Sequence, residues 1–202
     1  MKVSHGQLES FRADPAAFAR KAARRFGGPS MFRMWQYALK KLHSDDVETA
    51  VEHLRKTIHS NYKTNPRNEK RLDELVETLY QYEAAFASLG DVALEVLKPM
   101  SLVINPKLTI SGEIARLDLV PNGGYAAFLL WREQDDEWRT QIRFPLIQAH
   151  FAAKLNCSLR DIAVGVYSIP DQAHVRHRFS ASSVTAAQDE IAALAARLPG
   201  AK

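Results

Sequence analysis

Residues 108–133, LTISGEIARLDLVPNGGYAAFLLWRE, decide how this chain folds. Leu108 to Leu119 alternates and is rich in β-branched and aliphatic side chains, the pattern of a strand with one face turned inward. Pro121-Asn122-Gly123-Gly124 supplies turn chemistry, because the glycines take positive φ at no steric cost. Tyr125 to Trp131 is a nearly unbroken apolar run, as expected of a strand covered on both faces. The pair reads as a hairpin with almost no polar group at its centre.

Outward from the hairpin, toward the N-terminus, Val92, Leu94 and Val96 alternate with Ala93 and Glu95 in an earlier strand. Leu102 to Ile104 leads into the hairpin and is broken by Asn105-Pro106. Toward the C-terminus, residues 132–141 are polar and predict a surface loop. Helical spacing resumes with Leu146, Ile147, His150, Phe151 and Leu155, and Cys157 near that helix end reads as a small buried hydrophobe. Ile162 to Tyr167 predicts a buried strand, Ala173 to Phe179 a more exposed one, and Ser182 or Ser183 the start of an Ala-rich closing helix. Upstream of residue 91 the period is helical throughout. A first helix is expected from Ser4 with Gln7 completing a capping box, a second from Ser30, and a third after Ser44 with Asp45 and Asp46. A fourth starts at Asn65-Pro66, with proline at the first helical position, and carries Leu72, Leu75, Val76, Leu79, Tyr82 and Phe86 inward. The order predicts an α/β domain behind an N-terminal helical region.

A chain of 202 residues is long enough for one sizeable core. No apolar run approaches the ~20 residues that span a bilayer, and MKVSHGQLESF lacks the apolar segment of a signal peptide, so a cytoplasmic protein is expected, with no membrane partner. The single cysteine excludes an internal disulfide and a multi-cysteine metal site. Net charge is +4, but residues 1–42 hold nine Lys/Arg against two acids, +7, which leaves −3 for the rest. Such asymmetry points to an anionic partner, nucleic acid first and an acidic protein surface second.

Several motifs occur in a telling order. VSHGQLESFRADPAAF opens the chain, Gly112-Glu113-Ile114-Ala115-Arg116-Leu117-Asp118 forms one hairpin strand, and Gly124-Tyr125 through Leu130-Trp131-Arg132 forms the other. Pro145 to Phe151, PLIQAHF, follows on a helix, and Glu95 precedes the hairpin. Together these resemble the PD-(D/E)XK nuclease superfamily, in particular its RecB-like branch from helicase–nuclease complexes. The resemblance implies a restriction-endonuclease-like fold, a mixed central sheet flanked by helices over 91–202, with a helical subdomain over 1–90 that is basic at its start.

In active members of that family, an aspartate on the first hairpin strand and an Asp or Glu on the second hold Mg²⁺ or Mn²⁺, hard cations that favour oxygen ligands. The cation stabilises charge at phosphorus and activates the attacking water, which a lysine two residues further on positions. Carried over residue by residue, the first acid falls on Ala115, the second on Leu130 and the lysine on Arg132. The family's helical histidine falls among Phe32, Arg33 and Trp35, and the spacing from Gln148 to Phe151 is one residue short of the family's. Alanine and leucine offer no ligand, and an arginine stays protonated. Asp118 lies three positions from Ala115 and points to the other face of the strand. Glu95 and Glu113 are the remaining candidates for relocated ligands.

The resemblance therefore implies a non-catalytic, nuclease-derived subunit that needs no cofactor. It would bind nucleic acid, a protein partner such as a helicase or ATPase subunit, or both, within a DNA-processing or phage-defence assembly. Two alternatives are an active Mg²⁺- or Mn²⁺-dependent DNA nuclease with relocated ligands, and a purely structural protein–protein adaptor. Candidate phosphate contacts are Arg20, Lys21, Arg24, Arg25, Arg33, Lys40, Lys41 and Arg132. Trp35, Trp131 and Trp138 are expected in packing rather than base stacking. His174 and His177 sit on opposite sides of a strand, a poor metal site, and His43 and His53 read as surface residues.

Overall fold

The computed structural model describes residues 1–15, 17–18, 30–121 and 123–198. Within them a mixed six-stranded sheet is flanked by helices on both faces. The strands are β1 (Lys2–Ser4), β2 (Val92–Asn105), β3 (Leu108–Leu119), β4 (Tyr125–Trp131), β5 (Ile162–Ser168) and β6 (Ala173–His177). The helices are α1 (Leu8–Ala13), α2 (Met31–Ser44), α3 (Val47–Asn61), α4 (Pro66–Ala87), α5 (Arg143–Lys154) and α6 (Ala181–Ala196).

The hairpin β3–β4 has the expected limits. Arg116 to Leu119 pairs antiparallel with Phe128 to Tyr125, and Gly123 and Gly124 take φ of 84° and 87° at the turn. Gly124 admits no larger residue, since a Cβ there would lie 2.5 Å from the Asp161 carbonyl oxygen. From β4 the chain crosses through α5 and returns as β5, parallel to β4 in register Tyr125↔Ile162 to Trp131↔Ser168.

Among the described residues, the three largest of four apolar clusters hold the layers together. Helices α2, α3 and α4 cover one side of the sheet with Trp35, Leu39, Leu54, Leu72 and Tyr82, which meet Tyr167 of β5. Helix α5 covers the other with Phe144, Ile147 and Phe151, which meet Leu117, Ala127, Val164 and Val166. A third cluster joins Val3, Leu8 and Phe11 to Ile110, Leu146 and Ile191 of α6. The helix starts follow local chemistry: Ser30, Asp46, Asn65 and Ser180 each accept a hydrogen bond from the backbone N–H three residues on.

The structure corrects two expectations, at Ser4 and His43, and adds detail to others. Ser4 caps nothing: it ends β1, which lies parallel to Thr109–Ser111 of β3. Val92 and Leu94 of the expected strand stand exposed: among the described residues β2 is an edge strand, with a register shift between Ala93 and Glu95. The polar segment 132–141 is largely exposed, as expected of a surface loop, and contains a 3₁₀ turn, Glu137–Thr140, from which Trp138 packs against Phe144. His43 is half-buried against Tyr82 and Phe86 rather than on the surface.

Candidate functional site

Strand β3 is where the sheet divides. Its end, Arg116–Leu119, ladders to β4, whereas Thr109–Ser111 takes β1 as neighbour. Between the two, Gly112 to Ile114 pairs, among the described residues, only with β2, while β4 continues from Leu129 to Trp131 alongside β5. The fork opens a cavity of about 120 Å³ lined by Arg33, Glu113, Ala115, Leu130 and Arg143. A broader cleft of about 850 Å³ shares His5, Arg33 and Glu113 and adds Lys2, His150 and Lys154.

Local backbone explains why these groups converge. His5 follows directly on β1, and its ring fills the space beside Gly112, where a Cβ would lie 2.1 Å from the ring Cδ2. Its Nε2 is 2.9 Å from the Glu113 carbonyl oxygen. That oxygen only accepts, so the proton sits on Nε2 and Nδ1 remains buried without a partner. Burial, with the Arg143 charge acting the same way, holds His5 below its usual pKa and therefore neutral near pH 7.

The first turn of α2, capped by Ser30, carries Arg33 to the fork. Its Nη2 donates to both oxygens of Glu113, at 2.8 and 3.1 Å, and its Nη1 donates to Gln36 Oε1 at 3.2 Å. The guanidinium also lies 4.5 Å from the ring centre of Tyr37. Arg143 enters from α5 with its guanidinium 4.9 Å from the Phe144 ring centre, and desolvation lowers its pKa to about 10. The fork thus holds two guanidinium groups and a single carboxylate.

That composition does not fit a divalent cation. Ala115 and Leu130 line the fork where the resemblance places the ligands, and neither has an oxygen to offer. Glu113 is committed to Arg33, and Arg143 adds a second positive charge. Glu95 does not approach Glu113: it lies opposite Leu117, four positions further along β3 or roughly 13 Å away at strand rise, and pairs with Lys98. Among the described residues no three His, Cys, Asp or Glu side chains could jointly hold a metal ion.

The remaining candidates are dispersed. Arg132 is exposed and stacks 4.8 Å over the Phe32 ring, which in turn stacks on Trp35. Lys40 and Lys41 are exposed on α2, with Lys41 3.5 Å from Asp45. Arg20, Lys21, Arg24 and Arg25 lie outside the described residues. Trp35, Trp131 and Trp138 are all buried. Gln148 is structural: its Nε2 donates to the carbonyls of Leu159 and Phe179, and its Oε1 accepts from the Phe179 N–H. Sequence reasoning missed Lys2 and His5, which reach the cleft because β1 joins the sheet beside β3, and His150 and Lys154, which reach it from α5.

A second polar cluster lies under α4. Arg116 and Asp118 are fully buried, with Arg116 Nε 2.6 Å from Asp118 Oδ1. Arg116 also donates to the Tyr82 hydroxyl, and its guanidinium lies 4.1 Å from the Phe86 ring centre and 4.9 Å from that of Phe128. Desolvation raises Asp118 to about 6, with Arg116 pulling the other way. Burial lowers His43 and His174 to about 3, reinforced by the Arg116 charge. Nearby, Arg176 pairs with the buried Asp91. His174 packs against Tyr82 and Phe128 whereas His177 packs against Phe179, so the two do not meet.

No protein-family model and no curated protein matches this chain. A solved structure described as "Crystal structure of SSO0001" is similar at a TM-score of 0.32 and 11% identity, over 92% of this chain and 85% of that one. A likeness so slight supports no assignment of fold family or function. No helix among the described residues is long and apolar enough to cross a membrane.

Proposed function

We propose that this chain is a nuclease-derived subunit that has exchanged a metal site for a guanidinium and binds the backbone of a nucleic acid without cutting it. One observation carries the reading: at the fork, flanked by Ala115 and Leu130, Arg33 engages both oxygens of Glu113. A fixed positive charge then stands where a nuclease would place its cation. Lys2 and Lys154 extend that charge along the cleft, where Glu113 is the only carboxylate among the described residues. Phosphate contacts of this kind confer affinity without sequence preference. Placement within a helicase- or ATPase-containing assembly rests on the family resemblance alone.

Anisotropy titrations of labelled DNA test the reading. Binding should weaken linearly in log–log form as salt rises, and Lys2→Glu with Lys154→Glu should reduce both affinity and salt slope. DNA incubated with Mg²⁺ or Mn²⁺ should stay intact. Cleavage that Glu113→Ala abolishes would establish the relocated-ligand alternative instead. The adaptor reading has support of its own: Val92, Leu94 and Leu119 stand exposed on or beside the free edge of β2, the kind of edge a protein partner can extend. Absence of any DNA binding at low salt would favour it.

A further inference from the structure

We propose that Tyr37 is a stacking platform for an unpaired base, so that the ligand of the adjoining cleft is a single-stranded nucleic acid. The inference rests on the cleft reading above and specifies its ligand. Tyr37 lies one helical turn after Arg33 on α2 and is 43% exposed, whereas Trp35 of the same helix is fully buried and Phe32 half-buried. Its ring packs against the Arg33 guanidinium at the margin of the cationic cleft and leaves much of its surface open to water.

The ring is also held in position. Arg33 supports it at 4.5 Å and is itself fixed by Glu113, so Glu113, Arg33 and Tyr37 form a braced series running out of the fork. Lys40, one turn further along the same stripe, stands exposed about 10 Å along the helix axis from Arg33. Phosphates drawn by Lys2, Arg33 and Lys154 would leave the cleft toward Tyr37 and then Lys40. A base on that path meets an aromatic face backed by a guanidinium, the arrangement that binds unpaired bases regardless of sequence. A duplex offers no such base, because its faces are already stacked on their neighbours. An acidic protein would use the lysines and leave the ring idle.

The test compares a labelled single-stranded oligonucleotide, its duplex and heparin as ligands of the full chain. Tyr37→Ala should weaken single-strand binding on the order of tenfold while leaving duplex and heparin binding nearly unchanged. Tyr37→Trp should keep single-strand affinity, and its indole fluorescence should be quenched on binding. Undiminished single-strand binding by Tyr37→Ala would overturn the inference, as would an equal loss for all three ligands. If the unaltered protein binds neither nucleic acid at low salt, the cleft reading itself fails. If it binds but ignores Tyr37, only the inference falls.

Discussion

Strand β3 takes part in two arginine–carboxylate pairs within a few residues of each other, one completed by Arg33 of α2, and they do opposite things. At the fork, Arg33 and Glu113 remain 33% and 27% exposed. Three residues further on, Arg116 and Asp118 are wholly removed from water. Ion pairs in contact with solvent contribute about 0–1 kcal/mol, so the fork pair adds little to folding stability and serves to hold Arg33 in place. A buried pair is different: its charges tolerate each other's presence far better than either tolerates the other's loss. One strand therefore helps to form a solvent-exposed charged rim at the cleft and a buried charged joint under α4.

The largest effect should come from breaking the joint. Asp118→Ala leaves Arg116 buried without its counter-ion and should cost about 3–5 kcal/mol in urea unfolding. The double change Arg116→Met, Asp118→Leu should recover most of that loss; no recovery would mean that the charges themselves hold α4 to the sheet. The same region sets the acid response. His43 and His174 titrate near 3 in the folded chain against an ordinary 6.5, so the unfolded chain binds protons first and stability falls as pH drops from about 6.5 toward 3. Asp118 opposes this, being raised from 3.8 to about 6, and favours the folded state as pH drops through that range. Two groups with the wider window outweigh one. The unfolding midpoint should therefore decline below pH 6, and His174→Phe should flatten the decline.

Smaller effects belong to the fork. Gly112→Ala forces its Cβ onto His5 and should cost about 1–3 kcal/mol through overpacking, with a loss of DNA affinity as the cleft wall shifts. Glu113→Gln should change stability by less than about 1 kcal/mol, yet it frees the Arg33 charge and should raise DNA affinity several-fold. A fall in affinity would show that Glu113 is needed to aim Arg33 rather than merely to neutralise it.

The joint and the fork were unequally legible in the sequence. Alternation and glycine placement give β3, its turn and β4 their limits, and the caps at Ser30 and Asn65 mark α2 and α4, because these signals are local. Nothing local announces β1, three residues whose hydrogen bonds lie more than a hundred positions away in β3. With β1 unread, Lys2 and His5 had no reason to join Glu113. The Arg33–Glu113 pair spans 80 positions, beyond any periodicity. The packing of Trp138 was legible, but its partner Phe144 was not; His43, one turn after the buried Leu39, was read as surface because its neighbours Tyr82 and Phe86 come from a distant helix. By contrast, the opposite facing of Ala115 and Asp118 follows from strand geometry alone.

Whether a guanidinium has taken the place of a metal is best tested by titrating Mn²⁺ into the protein and following the electron paramagnetic resonance of the free ion. The wild-type chain and Glu113→Gln should leave the signal equally undiminished. A saturable loss of signal in wild type that disappears in Glu113→Gln would contradict the account.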